Sequence, residues 1–218
     1  MIKILSFTKT PITKIGEYAT ICTDYTNPDK YYTIGKSCIN SGHGRTLEYV
    51  DVVMEISGYS SRTIRQLYTH QQGITKLQQS TRYVDCEDFT YYTPDTIAHN
   101  EKAFKVYEDI MASIGKAYSE LIETYNIPKE DVANVLPLGM NTKIVMKINV
   151  RALFHMFEER TCMRAYKECR KLMTELRYEL SKLDEEWNEL TKMMGCKCDK
   201  EKLCRESRNS CGKYPKAL

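Results

Sequence analysis

The sequence predicts an α+β fold: a mixed or antiparallel sheet flanked by long helices. Short apolar and β-branched runs such as "MIKILSF" and "TKIVMKINV" are spaced irregularly among helical stretches, so the strict strand–helix alternation of a doubly wound sheet is missing. Two stretches, from His99 and from Arg151, keep helical character far longer than any strand would. A chain of 218 residues is long enough for one domain with a sizeable core, assigned to residues 1–194, and the cysteine-rich, basic residues 195–218 stand apart as a tail.

In chain order, "MIKILSF" reads as a first strand and "PITKIGEYATICTDY" as a short helix opened by Pro11. "LEYVDVVMEISGY" starts as an alternation, with Val50 or Val52 on one face and Asp51 on the other, and reads as a strand. In "SSRTIRQLYTHQ", Ser60 or Ser61 can cap a helix whose apolar side is Ile64, Leu67 and Tyr68, and Gly73 ends it. "STRYV" and "FTYYTP" read as short strands around a turn at "DCED". Phe104, Tyr107, Ile110, Met111, Ile114, Tyr118, Leu121 and Ile122 then follow helical spacing. "IPKEDVANVLP" reads as a short helix with Pro128 in its first turn and Pro137 as its stop. "TKIVMKINV" is a strand by its β-branched content, and Arg151 to about Met194 reads as one or two long helices.

The formal net charge of +3 is too small to argue for a nucleic-acid partner. No apolar run is long enough to span a bilayer, and the N-terminus shows no signal-peptide pattern, so a cytoplasmic protein is expected. P-loop, GxGxxG, HExxH and GxSxG signatures are absent. Nine cysteines are many for a reducing compartment. Cys22, Cys38, Cys86, Cys162 and Cys169 are scattered, as reduced and mostly buried thiols would be. Cys196, Cys198, Cys204 and Cys211 are clustered, and four thiolates could hold a tetrahedral zinc. The paired C-x-x-C knuckles are missing, so the metal signal is weak beside unliganded thiols or a disulfide, and no metal is assigned.

Three polar constellations remain. In "SGHGRTLEYV", Gly42 and Gly44 flank His43 and precede Arg45, which suits close approach of a phosphate or a plain loop. Arg62, Arg65, Gln66, Thr69 and His70 cluster on the polar side or end of their helix, and Ser80 and Arg82 would point to one face of the next strand. That set could grip a base and a phosphate, or form a solvated helix end. Asn149, Arg151, His155, Arg160 and Arg164 lie at and after a strand-to-helix junction, where a helix N-terminus attracts anions. Arg151, His155 and Glu159 share a face there, with an Arg151–Glu159 ion pair in reach.

These segments together resemble the flavin-dependent thymidylate synthases. "THQQGITKLQQSTR" resembles that family's Arg-His-Arg, seven or eight residues, Ser-x-Arg signature, with His70, Ser80 and Arg82 in place. "SGHGRTLEYV" resembles its Gly-His-x-x-x-Leu-Glu-His segment, and "VLPLGMNTKIVMKINVRALFHMFEERTCMRAYKECRKL" its Val-Leu-Pro, Asn-x-Arg-x-Leu and Arg-x-Cys-x-Arg-Ala segments. "NSCGK" is similar to a tail found in some members. The resemblance covers nearly the whole chain in order.

It implies a homotetramer that methylates dUMP to dTMP without a cysteine nucleophile. Methylenetetrahydrofolate would supply the carbon, and NADPH the hydride through reduced FAD. It implies that Arg160 is catalytic, favouring negative charge on the pyrimidine ring. Gln66, Thr69, Ser80, Thr81, Arg82 and Asn134 would face dUMP, and Arg45, His70, Gln71, Gln78, Asn149, Arg151 and His155 would hold FAD. Thr69, Gln71 and Asn134 stand where the family carries arginines, and Arg45 where it often has Ser or Thr. Arg45, Arg65 or Lys76 could restore the missing positive charge; otherwise a related flavoenzyme acting on another pyrimidine nucleotide, or a non-catalytic flavin- or nucleotide-binding homologue, is the alternative.

Overall fold

The computed structural model describes Met1 to Ala217. The chain runs β1 (Ile2–Phe7), α1 (Pro11–Ile21), α2 (Tyr31–Asn40), a 3-10 turn (Gly44–Tyr49), β2 (Asp51–Ser60), α3 (Ser61–Tyr68) and β3 (Ile74–Gln78). It continues through α4 (Asp95–Ala98), α5 (Glu101–Glu123), α6 (Lys129–Val132), β4 (Asn141–Asn149), α7 (Val150–Arg160), α8 (Lys167–Ser181), α9 (Glu185–Met193) and α10 (Lys197–Glu201).

The described strands form one sheet in the order β1-β2-β4-β3. Every pairing is antiparallel. Met1 pairs with Ser57 and Thr8 with Asp51; Met140 with Ser61 and Val150 with Val50; Lys143 with Gln79 and Asn149 with Gly73. The expected α+β class with an antiparallel sheet is therefore the observed one. In β4, Thr142, Ile144, Met146 and Ile148 are buried while Lys143 and Lys147 are exposed, the period-2 pattern of a strand with one covered face. In β2, Val52, Met54 and Ile56 alternate inward, and the parity then breaks at Gly58, whose φ of +71° suits glycine.

The chain divides into two compact units. One comprises Met1, residues 56–66 and residues 77–144; the other comprises residues 2–55, 67–76 and 145–218. In the first, Cys86, Tyr118, Val132 and Met140 form a buried cluster with Phe89, Leu121, Ile122 and Leu136 against it. Tyr118, Leu121 and Ile122 come from one stripe of α5, which Asn100 caps through a bond from Ala103 N. In the second, α1 and α2 cross at Gly16 and Gly35. A Cβ on Gly16 would stand 1.8 Å from the Tyr31 carbonyl oxygen, so only glycine permits this approach. Trp187 of α9 is fully buried and donates its indole N–H to Thr8 O at 2.9 Å.

Several local expectations change. "STRYV" and "FTYYTP" are not strands: Ser80 O accepts from both Tyr83 N and Val84 N in a turn, and Tyr91 makes a single bridge to Met140. The strand lies earlier, at Ile74–Gln78, because β4 offers it a pairing edge that its own polar sequence does not announce. α2, with Gly35 at its centre, escaped periodicity altogether. Residues 150–193 form three helices rather than one or two: Thr161 bonds back to Phe157 O after α7, and Asp184 caps α9. α3 is capped by Ser60, whose hydroxyl accepts from Thr63 N, but it ends at Tyr68, before Gly73. Pro128 is the cap residue preceding α6, not part of its first turn. No helix of the described residues is long and apolar enough to cross a membrane.

Candidate active site

In the unit containing residues 67–76 and 145–218, the end of α3 meets the end of α7. Arg160, the last residue of α7, donates Nε–H to His70 Nε2 at 3.0 Å and an Nη–H to Thr69 Oγ1 at 2.7 Å. His70 is 7% exposed. Accepting from a guanidinium requires a bare Nε2, so the imidazole is neutral with its proton on Nδ1. Burial first, then the Arg160, His155 and Lys76 charges, lower its pKa to about 4. The His155 ring stands edge-on to it, 5.4 Å between centroids, and is itself exposed.

Lys76 on β3 turns back to donate to the carbonyls of Leu67, at 3.1 Å, and of His70. It satisfies the carbonyls left bare where α3 stops. In that arrangement Lys76 braces the His70 turn. Burial lowers its pKa.

Asn149 caps α7, its side chain accepting from Ala152 N at 2.9 Å. Gly73, at φ +70°, lies so close that a Cβ there would come within 2.4 Å of the Asn149 amide. Arg151 pairs with Glu48 of the 3-10 turn at 2.5 Å, not with Glu159 as helix spacing suggested. Gly44 lets the Arg151 side chain lie against that turn, and Arg45, in the same turn, is exposed. Two adjoining depressions result. One, of about 310 Å³, is lined by Thr69, His70, Gln71, Gln72, Ile74, Ala152 and His155. The other, of about 630 Å³, is lined by Glu48, Gln72, Gly73, Asn149, Arg151, Ala152 and His155. Cys169, fully buried near Arg160, is held as a thiol by burial, its pKa pushed up to about 11.

The other unit carries a second polar set. Ser80 and Thr81 line a cavity of about 120 Å³ with Asn141 and Thr142. Ser80 Oγ accepts from Arg82 N at 3.3 Å, a turn contact and not the strand alternation expected. Gln78 donates to Thr142 Oγ1 at 3.3 Å. Arg82 is exposed and pairs with Glu130 at 2.9 Å. Asn134 is exposed and bonds back to Asp131 O at 2.9 Å. Gln66 lies half-buried on α3, and Arg65 beside it is exposed. Asn141 Oδ1 is buried with no hydrogen-bond partner among the described residues, which marks a place where a ligand or water donor would be welcome.

Sequence reasoning missed Glu48, Gly73 and Lys76 as positioning groups. Gly73 alone left a signal, a lone glycine between a helix and a strand.

The sequence matches the thymidylate synthase complementing protein family over residues 3–184. The chain belongs to that family. It is 38% identical over 187 residues to the flavin-dependent thymidylate synthase of Nitratidesulfovibrio vulgaris, covering 82% of this chain and 75% of that one. It is 26% identical over 236 residues to the enzyme of the same name from Clostridium tetani, covering 97% and 93%. The fold resembles the flavin-dependent thymidylate synthase of Helicobacter pylori, solved with FAD and dUMP, at a TM-score of 0.71 and 19% identity, over 89% of this chain and 99% of that one.

Proposed function

We propose that the protein is a flavin-dependent thymidylate synthase, which methylates dUMP reductively to dTMP with carbon from methylenetetrahydrofolate and hydride from NADPH. The observation that carries this reading is Arg160, whose guanidinium donates to His70 and Thr69, two residues that line a polar depression, in a chain of that family.

The donor set suits FAD. Gly73 and Gly44 keep Cβ atoms out of the way, Arg151 and Arg45 provide guanidinium groups, and His155 offers an exposed ring. His70, Gln71, Asn149, Arg151 and His155, with Arg45 and Gln78, would hold it, and the chemistry it supplies when bound is hydride transfer. Gln66, Thr69, Ser80, Thr81, Arg82 and Asn134 would bind dUMP. Arg160 would stand at the pyrimidine, where a preorganised cation favours negative charge developing as C5 becomes nucleophilic. Neutral His70 orients that guanidinium without adding repulsion.

The reading extends to a cytoplasmic homotetramer of a single catalytic domain, residues 1–194, with a tail. Val106 and Ile110, one turn apart on α5, are exposed apolar side chains suited to burial between copies. A second reading, action on another pyrimidine nucleotide, is favoured by one observation: the Lys76 ammonium is turned onto two backbone carbonyls, away from restoring the missing arginines. The test is thymidylate formation from dUMP, methylenetetrahydrofolate and NADPH by the purified protein, with rescue of a thymidine auxotroph. Flavin binding without turnover on dUMP would favour the second reading; no saturable flavin binding by folded protein would reject both.

A further inference from the structure

The thiols of Cys196 and Cys198 meet with 3.4 Å between their sulfurs. Local structure explains the approach. Cys196 is the cap residue before α10, with extended backbone, and Cys198 is the second residue of that helix. A cap side chain leans back over the first turn. Here it forms no capping bond to a backbone N–H and brings one sulfur onto the other. A disulfide holds its sulfurs at about 2.04 Å, so a shift of about 1.4 Å at the tips of two side chains separates this contact from a bond.

The two sulfurs differ in exposure. Cys196 is 7% exposed and Cys198 is half-buried. Both line a cavity of about 380 Å³ in the unit that contains residues 145–218, with Thr161, Cys162 and Met163 of the turn after α7 on its wall. The pair thus has an outer sulfur that a small reagent can reach and an inner one poised beside it. Lys213, paired with Asp199, lies within electrostatic reach of the Cys198 sulfur. Its ammonium can offset negative charge on a sulfur that attacks or leaves.

We propose that Cys196 and Cys198 form a redox-active dithiol, closed to an intrachain disulfide by small disulfides of the glutathione type and reopened by small thiols. Cys198 loses its proton and attacks glutathione disulfide. The S–S bond of the reagent breaks, a mixed disulfide forms, and one glutathione thiolate leaves and is protonated. The Cys196 thiol then loses its proton and attacks the Cys198 sulfur, expelling the second glutathione. In all, two cysteine thiols are oxidised by two electrons, and one glutathione disulfide is reduced to two glutathione thiols. Cys196 wins the second step because it is held beside the mixed disulfide, at a high effective concentration. Burial pushes the Cys196 thiol up, which suits the resolving role and not the first attack. The bond closes a loop with Lys197 alone between the cysteines. Such a loop constrains the unfolded chain little, so the bond is a reversible one and not a structural staple. The inference is independent of the enzymatic reading.

The test places the full-length protein in graded mixtures of glutathione and glutathione disulfide. Samples are quenched in acid, alkylated, cut with trypsin and read by mass spectrometry. Trypsin cleaves after Lys197, so "MMGCK" and "CDK" stay joined only through the disulfide. The joined peptide is expected in folded protein at a lower fraction of glutathione disulfide than in the urea-unfolded chain, and reduction separates it. Exposed Cys22 and Cys211 carry glutathione adducts alone. Cys196→Ser removes the resolving thiol and holds Cys198 as its glutathione adduct. If that variant does not fold, the comparison of folded with unfolded wild type decides. The proposal is overturned if the two peptides stay separate where Cys22 is already glutathionylated, or if folded and unfolded chains close alike. It is equally overturned if Cys196 is found joined to "TCMR", the peptide of Cys162, or if Cys198 takes up no glutathione in folded Cys196→Ser.

Discussion

In the unit that carries His70, a buried imidazole, a guanidinium and a hydroxyl are bonded to one another across 90 residues of sequence. In the unit that carries Ser80, the polar side chains of the second set bond locally or to an exposed partner: Ser80 to Arg82 N, Asn134 to Asp131 O, Arg82 to Glu130. The first set is fixed before any ligand arrives; in the second, Arg82 and Asn134 stay exposed to solvent. Polar groups fixed in advance, as in the first set, are what an electrostatic mechanism asks for.

The comparison breaks most visibly at Arg160. Arg160→Lys keeps the charge but loses the planar fork that spans His70 and Thr69. Turnover is expected to fall by about 10²-fold or more, about 2.7 kcal/mol, with flavin binding and assembly retained; steady-state thymidylate formation beside wild type checks it. Unchanged turnover would mean the catalytic assignment is wrong.

His70 gives the next effect. Its folded pKa of about 4 lies below its ordinary 6.5, so the unfolded chain takes up the proton first. Its contribution is complete above pH 6.5 and is lost as pH falls towards 4. About 3 kcal/mol is at stake over that interval. Denaturant unfolding at pH 7 and pH 4.5, for wild type and His70→Asn, should show the acid loss only in wild type.

Gly73→Ala places a methyl against Asn149 in a left-handed backbone. A loss of about 1–2 kcal/mol is expected, with weaker flavin binding, because the cap of α7 must shift. Thr69→Val removes one acceptor of Arg160 and a proposed dUMP contact and should cost about 1 kcal/mol, read as a several-fold fall in kcat/KM for dUMP. Smallest is Arg82→Ala, whose exposed pair with Glu130 should change stability by under about 0.5 kcal/mol. The same variant should raise KM for dUMP if Arg82 faces the nucleotide, which thermal unfolding and kinetics measured together would separate.

Much of the architecture was legible because it is written locally. β1, β2 and β4 announce themselves by apolar or β-branched content, α5 by an unbroken apolar stripe, and α3 by its serine cap. β3 was not legible: "ITKLQ" becomes a strand only because β4 pairs with it. α2 hides behind a central glycine that serves packing against α1. Of the candidate site, His70, Arg151 and Arg160 stood out as residue types at suggestive positions, but their partners did not.

By itself the sequence determined the α+β class, the order of most elements, membership of the family and the residue types of the site, since periodicity, capping and motif spacing are properties of neighbours along the chain. Only the tertiary structure decided that Arg160 rests on His70 and Thr69, that Arg151 answers Glu48, that Lys76 is turned inward, and that Cys162 joins the tail cysteines. Each of the site pairings joins groups far apart in sequence or inverts a local expectation. Such contacts are set by which surfaces hydrophobic burial brings together, and no local pattern carries that information.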